Sequence, residues 1–228
     1  MHAGTILPIT VWLTETVADT HHLEKQLLPL LFPSEQKRLN NISHSRKRRE
    51  YITSRSLIRH VLKQLISQTD QPWEITEYKN SPPVVTHPTR NINLSLSHSH
   101  NTIALTATEY VLGIDIEYTR PRLNLEALAQ SFMTLPEQQH FEMLPASKQT
   151  DFFYRCWCAK EATYKLRTVL GRETIPIEKL CTINRKKAES DIHLTETWLS
   201  TYNCQLSVAA AHPLTAIKCR FVSEPELI

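Results

Sequence analysis

The spacing of hydrophobic residues predicts one long helix in each half of the chain. From about Ser45 to Ile66, apolar residues recur at steps of three and four positions, which places them on one face of an amphipathic helix. A second long helix is predicted from Asp151 to about Val169, and Gly171 follows it at a position where helices commonly end. Shorter helices are expected after Ser34, which would be an N-cap, and over residues 124–132 and 136–144.

Alternation between apolar and polar residues predicts strands in the middle and at the end of the chain. Between Ile92 and Glu117 the alternation falls into three segments, which predict three strands. The prolines of residues 70–90 leave room for only one short strand, near residues 74–78. Further strand-like segments follow the second long helix, at residues 178–183, 191–194, 204–211 and 216–222.

The two halves of the chain show short internal similarities. Residues 51–59 align with residues 157–165 at an offset of 106, and residues 94–96 align with residues 206–208 at an offset of 112. Both halves also run from helix to strands. We therefore expect an α/β (α+β) protein with two related lobes in a pseudo-twofold arrangement, each a helix packed on a small, mainly antiparallel sheet. The expected lobes, residues 1–110 and 111–228, form a single compact unit.

The composition indicates which class of protein this is and excludes some kinds of phosphate-binding site. The chain has 228 residues, 41% of them hydrophobic, and a net charge of +3, which is typical of an ordinary soluble globular protein. Only three glycines occur, so neither of the common glycine-rich phosphate-binding loops can be formed. A bound phosphate must therefore be held by side chains, helix N-termini or a metal ion.

The five cysteines and the lack of long apolar runs indicate the compartment. The cysteines are odd in number and lack the spacing of zinc or disulfide frameworks, so we expect reduced thiols in a cytoplasmic protein. No apolar run approaches the roughly 18 residues that a membrane span needs. We therefore expect neither export nor membrane association.

Two acidic residues share one face of a predicted strand. Asp115 and Glu117 are two positions apart, so they project together while Ile114 and Ile116 point into the core. Neighbouring carboxylates repel each other unless a cation lies between them, and such oxygen pairs suit a hard ion such as Mg²⁺. The alternative is a solvated edge strand with two surface acids.

A third acid and two lysines lie on the second long helix. Trp157, Glu161 and Lys165 are successive i, i+4 neighbours, so an aromatic ring, a carboxylate and an ammonium line one helix face. Glu161 could complete a metal site, and a lysine beside it could neutralise phosphate oxygens. A surface Glu–Lys pair beside a core tryptophan is the simpler alternative.

A short polar motif lies at a predicted strand end. The hydroxyls and imidazole of Ser97, His98 and Ser99 make a polar cluster suited to holding phosphate. A single structural histidine is the alternative. No glycine-rich turn surrounds these serines, which argues against nucleophilic catalysis.

In their order and spacing, three segments resemble the signature motifs of the 4′-phosphopantetheinyl transferases: residues 97–99, 113–117 and 157–165. Segments starting at Pro33 and Arg48 are similar to the amino-terminal half of that family, so the resemblance covers about residues 33–171. The chain length resembles that of the two-lobed, single-chain, surfactin-type branch.

The resemblance implies an enzyme that moves the 4′-phosphopantetheine group from coenzyme A to a serine hydroxyl of an apo acyl or peptidyl carrier protein. The products are the holo carrier protein and adenosine 3′,5′-bisphosphate. Asp115, Glu117 and Glu161 are then the expected ligands of Mg²⁺, or of Mn²⁺ in its place. Glu161 is the expected general base, and Lys165 is expected to meet the α-phosphate. The expected partners are coenzyme A and the carrier protein, with no nucleic acid or membrane, and the expected state is a monomer.

The same resemblance implies residues that bind coenzyme A. Arg55, Ser97 and His98 are expected at its 3′-phosphate and adenine end, with Arg48 as a further candidate. Lys160 is expected either at the phosphates or as a residue that fixes its helix.

The chain departs from the family pattern at two positions. Family members usually carry Gly-Lys-Pro ahead of the serine-histidine motif, whereas this chain has Tyr78-Lys79-Asn80 followed by a serine and two prolines. Either Lys79 takes over the phosphate contact from a shifted position or that contact is missing. His100 stands where glycine commonly follows the motif, and it either narrows the pocket or adds a phosphate donor.

Two other functions can be weighed against the transferase. A metal-dependent nuclease also uses clustered acids with a nearby lysine, but it needs a broad basic surface, and the net charge is only +3. A nucleic-acid-binding module could use the basic run Arg46–Arg49, but it leaves Asp115, Glu117 and Glu161 unexplained. A solvated helix face accounts for the basic run more simply.

Overall fold

The computed structural model describes residues 8–66, 73–78, 82–173, 175–183 and 191–227. Contacts divide the chain into two compact units. The carboxy-terminal unit consists of Met1–Ile9, Ser97–His100 and Val111–Ile217. The amino-terminal unit consists of Thr10–Leu96, Asn101–Tyr110 and Lys218–Ile228. The chain thus enters the carboxy-terminal unit briefly at residues 97–100, before the main part of that unit begins.

The helices and the strands follow one another in runs along the chain, and the sheets are small and antiparallel, so the fold is of the α+β class. The helices are α1 (His21–Leu27), α2 (Pro33–Asn40), α3 (Ser45–Leu65), α4 (Leu125–Phe132), α5 (Leu135–Met143) and α6 (Ala146–Val169). The strands are β1 (Ile9–Glu15), β2 (Glu74–Thr76), β3 (Val84–Thr86), β4 (Asn93–Ser99), β5 (Thr102–Thr108), β6 (Leu112–Tyr118), β7 (His193–Leu199), β8 (Cys204–Ala210) and β9 (Ile217–Phe221).

The amino-terminal unit is organised around α3 and a sheet with the strand order β4-β5-β1-β9. Strands β1 and β5 are antiparallel, with Trp12 opposite Leu105. The apolar face of α3 lies in the same buried cluster as the inward residues of these strands, for example Leu57 and Ile103. Strands β2 and β3 form a separate antiparallel pair. The helix predicted from the three- and four-residue spacing is therefore confirmed.

The carboxy-terminal unit is organised around α6 and an antiparallel sheet with the order β6-β8-β7. Strand β8 lies between the other two, and Ser207 at its centre pairs with Asp115 of β6. Every residue of β8 is buried, as expected for the central strand of a covered sheet.

Gly113 determines how closely α6 can approach β6. A Cβ atom at this position would overlap the carbonyl oxygen of Ala162 and lie 2.6 Å from the backbone nitrogen of Leu166. Both are backbone atoms, which cannot turn away as a flexible side chain would. Only glycine lets the helix backbone rest directly on the strand here.

The two units build the start of a short helix in the same way. At the start of α2, Glu35 accepts a hydrogen bond from the backbone of Phe32 at 3.0 Å and an ion pair from Arg59 at 2.6 Å. Arg59 also donates to the carbonyl of Leu30 at 2.7 Å. Glu35 therefore closes a capping box and holds a cation of the long helix α3.

The same arrangement recurs at α5, 102 positions further along the chain. Glu137 accepts from the backbone of Thr134 at 2.8 Å and pairs with Lys160 of α6 at 2.7 Å. Lys160 also donates to the carbonyl of Phe132 at 2.7 Å, as Arg59 does to Leu30. This bonding pattern relates Arg59 to Lys160, 101 positions apart, whereas the predicted alignment at an offset of 106 places Arg59 opposite Lys165, so the pattern does not follow that alignment.

Several predicted elements differ from the structure. Ser34 is not the N-cap of α2, because Phe32 holds that position and Glu35 supplies the capping carboxylate. Residues 82–90 contain the additional strand β3, and residues 178–183 contain no strand. Strand β1 and helix α1 were not predicted. The three strands from residue 93 to residue 118 and the four helices from α3 to α6 are confirmed.

The contact at Gly113 leads to a stability prediction. Gly113→Ala should lower the free energy of unfolding by at least about 1–3 kcal/mol, the usual cost of overpacking. Urea denaturation would measure the change. Gly171→Asn is the matched control, because its Cβ would meet no atom within 4 Å and asparagine tolerates the positive φ of 63°. Equal, small losses for both variants would contradict the proposed close approach.

Candidate functional site

The centre of the candidate site is the acidic pair on β6. Ile114 and Ile116 are fully buried, as predicted, so the strand directs Asp115 and Glu117 to its other face. Asp115 is itself 4% exposed, and Glu117 is partly buried. The pair is therefore not the solvated pair of surface acids that was the alternative.

Asp115 is held by two donors. Its Oδ1 accepts a hydrogen bond from Ser97 Oγ at 2.7 Å and an ion pair from Lys165 Nζ at 2.8 Å. Lys165 Nζ also donates to the carbonyl of Ile114 at 3.0 Å. The second oxygen of Asp115, Oδ2, is buried and has no hydrogen-bond partner among the described residues. It is a free acceptor in a low-dielectric environment, which is costly unless a cation or donor reaches it.

Both oxygens of Glu117 are bonded. Ser99 Oγ donates to Oε2 at 2.8 Å, and the indole nitrogen of Trp157 donates to Oε1 at 3.0 Å. Burial raises the pKa of Glu117 and the nearby charge of Asp115 raises it further, while the two donors partly offset these effects. Ionisation of this carboxyl group therefore carries an electrostatic cost.

Glu161 on α6 belongs to the same electrostatic cluster. Burial raises its pKa, the negative charge of Asp115 raises it further, and Lys165 acts in the opposite direction. Three carboxylates thus share one region with a single lysine as their nearby cation in the described part of this site. Their mutual repulsion would be relieved by a bound cation.

The chemistry of these donors fits a hard divalent cation, although the ligands are not yet gathered. Among the residues that the structure describes, no three His, Cys, Asp or Glu side chains are arranged so that they could hold a metal ion as they stand. The unpaired oxygen of Asp115 and the raised pKa values of Glu117 and Glu161 nevertheless identify carboxylate oxygens that lack positive charge. Oxygen ligands of this kind suit Mg²⁺ or Mn²⁺.

Lys160 does not have the phosphate-binding position that was one of its two expected roles. Its side chain is fully buried, and its ammonium binds Glu137 and the carbonyl of Phe132. Burial alone would raise the pKa of Glu137, but the bonds from Lys160 and Thr182 outweigh it and the pKa is lowered. The other expected role is the one that the contacts support: Lys160 fixes α6 to the start of α5.

Arg55 likewise has no side-chain donor exposed for a 3′-phosphate. It is 4% exposed, pairs with Glu77 through Nε at 2.5 Å, and lies 3.6 Å from Glu35. Its guanidinium also lies over the ring of Tyr51, with 4.4 Å between Cζ and the ring centroid. Arg55 is therefore part of a buried ion-pair network in the amino-terminal unit, and the expected phosphate contact is not supported by this arrangement.

The other residues predicted to bind coenzyme A differ from one another in exposure and in contacts. Arg48 is partly exposed and pairs with Glu24, while Lys79 lies outside the described residues. Ser97 is buried and bound to Asp115, whereas His98 is exposed. His100 adopts a left-handed φ of 56°, the conformation for which glycine is favoured, and its ring stacks on Tyr118 with 4.5 Å between centroids.

Sequence reasoning missed the acidic partners that hold the buried cations. Glu137 and Glu77 bind Lys160 and Arg55, respectively, and neither was singled out. The signal for Glu137 is the sequence Thr134-Leu-Pro-Glu137, in which a glutamate three residues after a threonine marks a capping box. The sequence around Glu77 carries no comparable signal.

The chain is similar to one protein family and to several individual proteins. The family model described as the 4′-phosphopantetheinyl transferase superfamily matches residues 111–216. The 4′-phosphopantetheinyl transferase HetI of Nostoc sp. is 30% identical over 145 residues, which are 62% of this chain and 61% of that protein. AcpT of Escherichia coli, a 4′-phosphopantetheinyl transferase by name, is 32% identical over 122 residues, or 53% of this chain and 58% of that protein.

These two matches span about three fifths of the length of each relative. A third relative, the 4′-phosphopantetheinyl transferase Sfp of Bacillus subtilis, is 23% identical over 215 residues, covering 90% of this chain and 92% of that protein. The relatives give no support to a nuclease or a nucleic-acid-binding module. In the described part of the chain, no helix is both long and apolar enough to cross a membrane.

The burial of Lys160 leads to a second prediction. Lys160→Met should lower the free energy of unfolding by about 3–5 kcal/mol, because it leaves the Glu137 carboxylate buried without its cation. Lys148→Met, at an exposed position of the same helix, should change it by less than about 0.5 kcal/mol. Chemical denaturation would measure both. A Lys160→Met variant of normal stability that no longer binds coenzyme A would show that Lys160 is a phosphate ligand after all.

Proposed function

Because residues 111–216 match the model of the 4′-phosphopantetheinyl transferase superfamily, we propose that the chain belongs to it and transfers the 4′-phosphopantetheine group of coenzyme A to a serine hydroxyl of an apo acyl or peptidyl carrier protein. One observation carries the proposal: Asp115, Glu117 and Glu161 form one charge cluster with Lys165, within the region that matches the family model. The match to the Bacillus protein over 90% of this chain is consistent with the two-lobed branch of the family.

The proposed reaction is a displacement at phosphorus. The serine oxygen of the carrier forms a bond to the phosphorus that carries pantetheine, and the pyrophosphate bridge breaks. Adenosine 3′,5′-bisphosphate leaves with the bridging oxygen, and the serine proton moves to a base. A divalent cation at Asp115, Glu117 and Glu161 would supply charge stabilisation for the pyrophosphate oxygens.

Glu161 is the proposed base for the carrier serine. A carboxylate accepts a proton more readily as its pKa rises toward the working pH, and both burial and Asp115 raise the pKa of Glu161. Lys165 is the proposed partner of the α-phosphate, since its side chain is 30% exposed and its ammonium is already in the acidic cluster. On binding of the pyrophosphate, Lys165 would exchange part of its contact with Asp115 for one with phosphate oxygens.

The proposal also includes the residues that bind the 3′-phosphate, the oligomeric state and the compartment. His98 is exposed and remains the proposed residue for the 3′-phosphate, with Arg48 as a weaker candidate. The enzyme is proposed to act as a monomer in the cytoplasm.

Substitution of the acids tests the proposal directly. Asp115→Ala and Glu161→Gln should each lower the rate of carrier modification at least about 100-fold, because each removes one oxygen ligand and its charge from the cation site. The measurement is the intact mass of an apo carrier protein after incubation with coenzyme A and Mg²⁺. Glu178→Gln, an exposed acid of the same unit, is the matched control and should react as the wild type does. Near-normal rates for Asp115→Ala or Glu161→Gln at saturating Mg²⁺ would contradict the three-carboxylate site.

The raised pKa of Glu161 predicts that the variant which lowers activity, Glu161→Gln, raises the stability of the fold. A carboxyl group whose pKa is higher in the folded state destabilises the fold once it ionises, so its cost is present at neutral pH and absent below the unfolded pKa. Without divalent cations, Glu161→Gln should therefore raise the melting temperature at pH 7, and the gain should disappear as the pH falls below about 4. Calorimetry across this range would measure it. A loss of stability at neutral pH would show that the ionised carboxylate is stabilised in the fold.

A further inference from the structure

Strand β4 presents the serines and the histidine of its polar motif to different sides. Ser97 and Ser99 are two positions apart and share one face, while His98 between them projects from the other. Ser97 is buried, Ser99 is partly buried and His98 is exposed. The motif is therefore divided between His98, which meets solvent on one face, and the two serines, which share the other face.

The two serines bind the two acids of β6 in the same order along the chain. Ser97 Oγ donates to Asp115 at 2.7 Å and Ser99 Oγ donates to Glu117 at 2.8 Å, so residues i and i+2 of one strand bind residues i and i+2 of the other. Ser99 Oγ also accepts the backbone N–H of Tyr118 at 3.0 Å. A serine hydroxyl has only one proton, and in both residues that proton is used on a carboxylate.

Trp157 supplies the third donor. Its indole nitrogen donates to the other oxygen of Glu117 at 3.0 Å, and its ring packs edge-on against Phe132 at a centroid distance of 5.0 Å. The indole is thus held from behind by an aromatic neighbour. Together, Ser99 and Trp157 fix both oxygens of Glu117 and so fix the orientation of the whole carboxylate.

From this geometry we propose that Ser97, Ser99 and Trp157 are positioning residues for Asp115 and Glu117, and that His98 alone serves the phosphate in this motif. The inference rests on the proposed function, because it takes these acids as ligands of a divalent cation. The donors orient the two carboxylates and offset their repulsion before the cation arrives. If either hydroxyl turned toward a phosphate, its carboxylate would lose one of the two side-chain donors that hold it.

The inference predicts opposite effects for the serines and the histidine. Loss of a residue that orients a metal ligand commonly weakens metal binding about 10–100-fold. Ser99→Ala and Trp157→Phe should therefore weaken the binding of Mn²⁺ about 10-fold or more and leave the binding of coenzyme A in chelator unchanged. His98→Ala should do the reverse, because it removes a donor to phosphate and none to the carboxylates.

Two matched controls separate the hydrogen bonds from general damage. Ser99→Thr keeps the hydroxyl and should retain Mn²⁺ affinity within about twofold, since a hydroxyl contributes the same donor in either residue. Trp198→Phe also replaces one of the four tryptophans, but Trp198 is 47% exposed on β7 and is separated from β6 by β8. It should bind Mn²⁺ as the wild type does.

Electron paramagnetic resonance of Mn²⁺ and calorimetry with coenzyme A in chelator measure the two affinities on full-length protein, and carrier modification is followed separately. The inference is supported if Ser99→Ala and Trp157→Phe lose Mn²⁺ affinity alone. It is overturned if they keep wild-type Mn²⁺ affinity, if Ser99→Ala weakens coenzyme A binding as His98→Ala does, or if the wild type binds no Mn²⁺. If the wild type binds Mn²⁺ with the expected pattern but modifies no carrier, the positioning roles stand and the proposed function fails.

Discussion

The backbone contact between α6 and β6 is the constraint on which the site depends. At Gly113 the strand lies against the helix so closely that a Cβ would overlap the Ala162 carbonyl. Asp115 lies two residues after Gly113 on β6, and Glu161 lies one residue before Ala162 on α6. The absence of one side chain therefore brings acids from two different elements into the same electrostatic environment, because strand and helix cannot separate without losing their buried contact.

In the part of the chain that the structure describes, the acidic residues of the site lack enough cations to neutralise them, whereas the buried acid next to the site is paired with a lysine. Lys160 and Glu137 form a buried pair, in which Lys160 also donates to the Phe132 carbonyl and Glu137 also accepts from Thr182, and this pair anchors α6 to the start of α5. One residue further along α6, burial and the negative charge of Asp115 raise the pKa of Glu161. Lys160 and Glu161 are therefore adjacent in sequence but have different roles. The anchor keeps the helix in place, and the site retains an excess of negative charge that a cation can relieve. The corresponding pair of Arg59 and Glu35 shows that the anchor belongs to both halves of the chain.

The sequence predicted the features that depend on periodicity. Helix α3 and strands β4 to β6 follow from three- and four-residue spacing and from alternation, and the alternation also placed Asp115 and Glu117 on one face. The i, i+4 spacing placed Lys165 on the face of Glu161, but it could not show that Lys160 is buried against Glu137, because that contact joins residues distant in sequence. The partners of Arg55 and Ser97 are distant in sequence, so their tertiary contacts could not be read from spacing. Strand β3 was not predicted, because it is short and lies among prolines, which usually interrupt strands.

The most direct test of the account is a crystal structure of the protein with coenzyme A and Mn²⁺, in which anomalous scattering locates the metal. The account predicts one Mn²⁺ bound by oxygens of Asp115, Glu117 and Glu161 and by the pyrophosphate, with Ser99 and Trp157 still donating to Glu117. A metal bound elsewhere, or a pyrophosphate bound while Glu117 and Glu161 remain away from the metal, would contradict it.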